Sequence, residues 1–197
     1  MNRLKEMEAI AREVEQLEES PLYAYRVQNG FKAVIGEGRV DANILFIGEA
    51  PGEQEAKSGR PFVGASGRLL NELLGSTGLQ REDVYITNVV KDRPPENRDP
   101  TPAEIALYAP FLVRQIEIIR PKVIATLGRF AMEFVLNLFE MPERGKKISQ
   151  LHGQRLRAQA PHGEIAVVPL YHPAVALYTT AQRQTLADDF KTLKEFV

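Results

Sequence analysis

The sequence predicts an α/β fold, a three-layer α/β/α sandwich built around a central four-stranded parallel sheet. Short apolar runs alternate with helical patterns along the chain, and this alternation is typical of parallel sheets with right-handed crossovers. The 197 residues are enough for a sizeable hydrophobic core. Because no linker, repeat or low-complexity segment interrupts the pattern, residues 1–197 are predicted to form a single domain.

Each predicted element has its own signal in the sequence. Unbroken apolar runs predict buried strands at 43–47, 84–89, 123–127 and 165–170. Apolar residues at helical spacing predict helices at 2–18, 66–74, 101–119, 128–138 and 180–196. The third of these helices also has a start signal, because Thr101, Pro102 and Glu104 suit an N-cap, a first turn and a capping box. The segment 140–163 is polar and basic and carries no predicted element.

Composition excludes several kinds of protein. The chain has no cysteine, so it has no disulfide, no thiolate nucleophile and no cysteine-ligated metal. Its three histidines (His152, His162 and His172) are too dispersed to suggest a metal site. The net charge of −1 gives no general argument for nucleic acid. No apolar run is long enough to span a membrane and no signal peptide is visible, so a cytoplasmic location is expected.

The most informative segment is GEAPGEQEAKSGRPFVGASGRLL at 48–70, which follows the first predicted strand. A glycine-rich turn after a parallel strand is where an α/β protein lets a ligand approach its backbone. Two further polar segments follow or end strands: ITNVVKDRPPENR at 86–98 and LYHPA at 170–174. Because the carboxyl ends of parallel strands share one edge of the sheet, these three segments are predicted to converge.

Together these segments resemble family 4 of the uracil-DNA glycosylase superfamily. The matching motifs are GEAPG at 48–52, GRPFVG at 59–64, ITNVVK at 86–91, PPENR at 94–98 and HPA at 172–174. The resemblance covers about residues 17–196. It implies a base-excision-repair enzyme that flips deoxyuridine out of DNA, hydrolyses its N-glycosidic bond and leaves an abasic site. For this chain we further expect a monofunctional monomer that needs no cofactor and whose partner is uracil-containing DNA.

The resemblance assigns a base pocket to three parts of the chain. Phe62 is the expected stacking floor, because an aromatic face suits a flat base; a core phenylalanine is the alternative. The side-chain amide of Asn88 offers one donor and one acceptor, which match uracil N3–H and O4 and mismatch cytosine. The glycine-rich turn is expected to contact the base through its backbone, at Gly48, Ala50, Pro51 and Gly52.

Four residues are candidates for the chemical step. An imidazole at His172 is expected to stabilise the negative charge on uracil O2 as the base departs. Family 1 enzymes place a water-orienting aspartate at the position that Ala50 occupies here, so their mechanism cannot be copied directly. Glu49, Glu55 and Asn97 are the remaining candidates for orienting water or stabilising the sugar cation. An exposed loop carboxylate is the alternative for either glutamate.

Two surface features are candidates for DNA contact. The first is a basic cluster that includes Arg144, Lys146, Lys147 and Arg155, for which a solvated loop is the alternative. The second is the apolar pair Leu177 and Tyr178, which follows His172 and suits a wedge filling the gap left by the flipped base. An apolar start to the last helix is the alternative for this pair.

One family feature is missing from the chain. Family 4 enzymes typically hold a [4Fe–4S] cluster through four cysteines, and the corresponding positions here are Leu17, Ser20, Asp92 and Tyr108. None of these side chains is a thiolate ligand. Packing by Leu17 and Tyr108, together with an ion pair between Asp92 and an arginine, is expected to replace the cluster.

Two other functions stay open at this point. The first is a glycosylase for a different deaminated base, such as hypoxanthine, although Asn88 favours uracil. The second is a catalytically weak uracil-DNA-binding module, which would bind without cleaving. The glycine-rich turn fits neither the GxxxxGK[ST] nor the GxGxxG spacing of nucleotide-binding loops.

Overall fold

Within residues 2–197, which a computed structural model describes, six strands form one mixed sheet. The strands are β1 (Glu37–Gly38), β2 (Ile44–Gly48), β3 (Tyr85–Asn88), β4 (Val123–Leu127), β5 (Leu156–Ala160) and β6 (Gly163–Leu170). Their order across the sheet is β1-β3-β2-β4-β6-β5. The central strands β3, β2, β4 and β6 are parallel, and both edge strands are antiparallel to their neighbours.

The prediction of a four-stranded sheet was therefore wrong in number, while the α/β class is confirmed. The four predicted strands are the parallel centre, where burial on both faces produces unbroken apolar runs. The edge strand β5 was missed because its buried residues alternate with exposed Arg157 and Gln159 inside a basic segment. The edge strand β1 has only two residues and no apolar signal.

Helices cover both faces of the sheet. They are α1 (Arg3–Glu15), α2 (Pro21–Gln28), α3 (Glu53–Ser58), α4 (Ala65–Thr77), α5 (Pro102–Ile119), α6 (Arg129–Leu138), α7 (Ile148–Leu151) and α8 (Thr180–Phe190). Helices α1, α5 and α6 pack on the face that presents Leu45 and Ile47. Helices α4 and α8 pack on the opposite face, where Phe46 stacks on Phe190 at 5.9 Å between ring centroids. The predicted α/β/α layering is confirmed.

Local signals explain where several helices begin and end. Thr101 caps α5 in a capping box with Glu104, as predicted, and Arg98 pairs with Glu104 at 2.6 Å. The predicted helix 2–18 stops earlier, at Glu15, and a separate α2 begins after the Ser20 N-cap. The last helix ends at Phe190 and continues as a 3-10 turn, Lys191–Phe196. No helix in the described part of the chain is long and apolar enough to cross a membrane.

The parallel centre determines where the polar loops meet. Strands β2, β3 and β6 end at Gly48, Asn88 and Leu170, so their following loops leave from the same edge. The pairing of β2 and β3 continues beyond the strands, because the amides of Val89 and Val90 donate to the carbonyls of Gly48 and Glu49 at 2.9 and 3.0 Å. The glycine-rich turn is thereby fixed beside the end of β3.

Candidate active site

A cavity of about 410 Å³ lies at this edge of the sheet. It brings together eight of the ten residues predicted for catalysis or base binding: Glu49, Ala50, Gly52, Glu55, Phe62, Asn88, Asn97 and His172. Of the other two, Pro51 is buried in the turn and Gly48 lies beneath the cavity. A Cβ on Gly48 would lie 2.3 Å from Asn88 Oδ1 and 2.7 Å from the Phe62 ring, so only glycine lets these groups approach.

Asn88 is the last residue of β3, and its side chain is only 1% exposed. Neither its Oδ1 nor its Nδ2 has a hydrogen-bond partner among the described residues. A buried amide without partners costs about 1–3 kcal/mol for each unsatisfied group. The cavity therefore contains one donor and one acceptor that remain available to a ligand.

Phe62 is held rigidly with its ring at the cavity. Its backbone is left-handed, with φ of 49°, which is uncommon for a residue with a bulky side chain. Arg81 fixes this conformation by donating to the carbonyl of Phe62 at 3.1 Å and to that of Pro61. A Cβ on Gly67 would lie 1.8 Å from the same Phe62 carbonyl, so α4 packs directly against this turn. The ring is a preorganised wall of the cavity.

Glu55 also holds this loop. Its Oε1 accepts hydrogen bonds from the backbone amides of Val63 and Gly64 at 2.8 and 2.9 Å. Its Oε2 lies close to Gly52, where a Cβ would be only 2.7 Å away. Glu55 therefore ties the first half of the glycine-rich segment to the second half, on either side of Phe62.

His172 lies beside Phe62, with 5.7 Å between the ring centroids. Burial lowers the pKa of His172 to about 4, against an opposing effect of the Glu55 charge. The imidazole is therefore neutral at pH 7. Its Nδ1 accepts a hydrogen bond from the Ala174 amide at 3.1 Å, so its single proton is on Nε2. His172 is thus a neutral donor whose tautomer is set by the backbone.

Glu49 and Asn97 complete the polar lining. Burial raises the pKa of Glu49 to about 6, the Asp99 charge adds to this effect and the Arg129 charge opposes it. No hydrogen bond to the Glu49 carboxylate is present among residues 2–197. Asn97 is exposed at the cavity mouth, with φ of 54°, and its Oδ1 accepts from Arg93 at 2.8 Å. Glu49 is thus an unpaired carboxylate that titrates near neutral pH.

The two features predicted to touch DNA are placed differently with respect to the cavity. Leu177 and Tyr178 are 41% and 85% exposed at the end of the 3-10 turn Pro173–Leu177, which directly follows His172. Arg144, Lys146 and Lys147 are exposed between α6 and α7 and do not line the cavity. Arg155 pairs with Glu195 at 2.7 Å and lies over the Phe196 ring, so its guanidinium is already engaged.

The four positions that correspond to cluster cysteines do not fit a metal. Ser20, Asp92 and Tyr108 are bonded to one another instead: Tyr108 donates to Asp92 at 2.7 Å, and its oxygen lies 2.9 Å from Ser20 Oγ. Arg26 on α2 pairs with Asp92 at 3.0 Å, which confirms the expected arginine partner. Leu17 packs against the core, as expected. We call Ser20, Arg26, Asp92 and Tyr108 the polar staple.

The polar staple joins three separate parts of the chain. Ser20 also caps α2, Asp92 follows β3 and Tyr108 lies on α5. Burial raises the pKa of Asp92, whereas the hydrogen bond from Tyr108 and the charge of Arg26 lower it. The chain has no thiolate, and these four side chains contact one another. They therefore do not fit an iron–sulfur cluster, and no step of the chemistry depends on one.

Comparison with known proteins identifies the family. The sequence model of the Uracil DNA glycosylase superfamily matches residues 35–195. The chain belongs to this superfamily. Among curated relatives, it is 49% identical over 162 residues to the type-4 uracil-DNA glycosylase of Archaeoglobus fulgidus, covering 82% of this chain and 80% of the relative. It is 41% identical over 196 residues to that of Thermotoga maritima, covering 97% and 94%.

A third relative, the type-4 uracil-DNA glycosylase of Sulfurisphaera tokodaii, is 45% identical over 190 residues, which is 96% of this chain and 84% of the relative. These comparisons confirm the family and the enzyme class that the motifs predicted. Sequence reasoning missed two residues that support the site, Arg81 behind Phe62 and Lys91 behind Asn88. Both are basic residues, for which an exposed position is the ordinary expectation, so no local signal marks them.

Proposed function

We propose that this superfamily member flips deoxyuridine out of DNA and hydrolyses its N-glycosidic bond, releasing uracil and leaving an abasic site. The observation that carries the proposal is the buried, unpartnered amide of Asn88 in a cavity walled by Phe62 and His172. Uracil presents an N3–H donor and an O4 acceptor, which satisfy both amide atoms. Cytosine presents the opposite pattern and would leave both unpaired, so it is rejected.

The departing base is stabilised by His172. Cleavage leaves negative charge on uracil, and the Nε2–H of a neutral imidazole donates to O2 where that charge develops. Because the pKa of His172 is lowered to about 4, this donor stays in one protonation state across neutral pH. The backbone amide of Ala174 keeps the proton on Nε2, and Phe62 supports the flat base from one side.

Glu49 orients the attacking water in this proposal. It is the carboxylate of the cavity without a hydrogen bond among the described residues, and above its pKa of about 6 it accepts a proton from water. Asn97 shares the cavity and assists through its amide nitrogen, because its oxygen is bonded to Arg93. Glu55 shapes the loop around Phe62 rather than acting on water, since its Oε1 is used by two backbone amides.

DNA contact extends from the cavity to the turn after His172. Leu177 and Tyr178 are exposed apolar side chains next to the base pocket, as a wedge that fills the vacated stack requires. Arg144, Lys146 and Lys147 are proposed to meet phosphates, with Arg155 contributing only if its pair with Glu195 opens. We propose a monomer as the active form, because a single chain is sufficient to assemble the cavity residues.

The test is excision of uracil from a labelled oligonucleotide that contains one deoxyuridine, followed by alkaline cleavage. We expect cleavage by the wild type and its loss in His172→Ala and Asn88→Ala. The matched control is His162→Ala, because His162 bonds the Pro121 carbonyl at 3.0 Å and lies outside the cavity. Binding without cleavage by the wild type, or cleavage of deoxyinosine in place of deoxyuridine, would overturn the proposal.

A further inference from the structure

Lys91 is a lysine with no exposed surface, placed directly behind the base pocket. Its Nζ lies 2.7 Å from Thr87 Oγ1, 2.7 Å from the Asn88 carbonyl oxygen and 2.6 Å from Gln115 Oε1. The Asn88 carbonyl belongs to the same residue whose side-chain amide faces the cavity. Lysine is almost never fully buried unless it is paired, so this position requires an explanation.

The hydrogen-bond network around Lys91 suits an ammonium. The Asn88 carbonyl can only accept. Thr87 donates its one proton to the Ile35 carbonyl at 2.7 Å, so it accepts from Lys91. Gln115 donates its Nε2 to the same Ile35 carbonyl at 2.9 Å, which turns its Oε1 toward Lys91. Three oxygens that can each accept surround the nitrogen, so an ammonium would donate one proton to each of them.

This ammonium has no counter-ion in the part of the chain that the structure describes. Among residues 2–197, Lys91 takes part in no ion pair with a carboxylate. Burial lowers the pKa of Lys91 well below its ordinary value, while hydrogen bonds to the three oxygens favour the protonated form. A buried, uncompensated cation is unfavourable for folding. Its contact with the backbone of Asn88, whose side chain lines the base pocket, indicates what offsets that cost.

We propose that Lys91 is a positioning residue for uracil excision: its buried ammonium fixes the Asn88 carbonyl and provides a positive potential behind the departing base. The inference rests on the proposed function and adds a charge to it. Uracil is neutral when bound and negative as the glycosidic bond breaks, so a cation stabilises the transition state more than the ground state. In a site of low dielectric this attraction acts beyond direct contact.

Two properties separate this role from simple support of the fold. Removing the charge lowers kcat and leaves KM nearly unchanged, because the neutral base gains little from the cation. It also makes the rate depend more strongly on the leaving group. 5-Fluorouracil carries the negative charge better than uracil. The excision rate of 5-fluorodeoxyuridine should therefore fall less than that of deoxyuridine when the stabilising cation is removed. A merely structural defect would slow both substrates by the same factor.

The experiment measures single-turnover excision of deoxyuridine and 5-fluorodeoxyuridine by Lys91→Met and by Lys91→Gln. The glutamine variant retains two donors for the buried acceptors and serves if the methionine variant fails to fold. The matched control is Lys191→Met, which removes an exposed lysine paired with Asp188. With the control unchanged, we expect kcat for deoxyuridine to fall about 10- to 100-fold, equivalent to about 1.4–2.7 kcal/mol. KM should change less than about 3-fold.

The ratio of the two rates decides the proposal. We expect the rate for 5-fluorodeoxyuridine relative to deoxyuridine to rise about 3-fold or more in both Lys91 variants. An equal loss for both substrates, or a loss expressed only in KM, would overturn the proposed role. Both rates are compared with those of an active wild-type enzyme. A wild type that excises neither base would instead refute the proposed function.

Discussion

Replacing Gly48 by alanine tests whether the approach of Asn88 to Phe62 creates the base pocket. The new methyl group would lie 2.3 Å from Asn88 Oδ1 and 2.7 Å from two atoms of the Phe62 ring. Because Cβ contacts under 3.0 Å essentially do not occur, the amide oxygen must retreat by at least about 0.7 Å. The ring must move as well, so the donor–acceptor pair and the floor are displaced together.

The magnitude follows from these displacements. A misplacement of about 1 Å in a catalytic arrangement costs about 100-fold in rate, equivalent to about 2.7 kcal/mol of transition-state stabilisation. The expected result for Gly48→Ala is therefore a fall of about 100-fold in kcat/KM for deoxyuridine excision. The assay is alkaline cleavage of the labelled oligonucleotide under single-turnover conditions, with the thermal unfolding midpoint measured on the same preparation.

Gly75→Ala provides the matched control. Gly75 is an exposed helical residue of α4, and a Cβ there would meet no atom within 4 Å. This variant should keep full activity and gain about 0.5–1 kcal/mol of stability, because alanine is the better helix former. Activity of Gly48→Ala within about 3-fold of the wild type would refute the argument that this glycine keeps the pocket open.

Three further predictions concern other parts of the molecule. The excision rate should fall as the pH drops through about 6, since the raised pKa of Glu49 leaves its carboxylate ionised only above that range; Glu49→Gln should abolish this inflection. Asp92→Ala should lower the unfolding midpoint by about 6 °C or more, because it leaves Arg26 buried without its partner, at a cost of about 3–5 kcal/mol; an unchanged midpoint would contradict the polar staple. Leu177→Ala and Tyr178→Ala should slow excision from duplex DNA more than from single strands, where no vacated stack needs filling; equal losses on both substrates would argue against a wedge.

The sequence was sufficient for the parts of the fold that repeat a simple pattern. Strands buried on both faces, such as Ile44–Gly48, consist of unbroken apolar residues and can be recognised without knowledge of their neighbours in the fold. The edge strand Leu156–Ala160 does carry a two-residue alternation, but Arg157 and its basic neighbours obscure it in a segment read as polar. The strand Glu37–Gly38 exists because it pairs with Tyr85 and Ile86, and that pairing leaves no local trace in the sequence.

The candidate active site was likewise predictable only in part. Asn88, Phe62 and His172 were predicted because each lies in a motif within a segment that ends or follows a strand, and parallel strands bring such segments together. The direction of each hydrogen bond was not predictable. Glu55 bonds the amides of Val63 and Gly64, and the tautomer of His172 depends on the Ala174 amide, two facts that appear only when the turns are folded.

Residues 88–92 connect the base pocket to the polar staple, which lies where related enzymes hold their cluster cysteines. Asn88 recognises the base in our proposal, Lys91 holds its carbonyl, and Asp92 is bound by Arg26 and Tyr108 of the polar staple. The staple therefore anchors the chain immediately after the residues that shape the pocket. Because a buried ion pair and its hydrogen bonds fix direction as well as distance, they restrain this segment as a metal cluster would. Loosening the staple should consequently reduce excision even at temperatures where the protein remains folded, and activity should decline before the unfolding transition in Asp92→Ala.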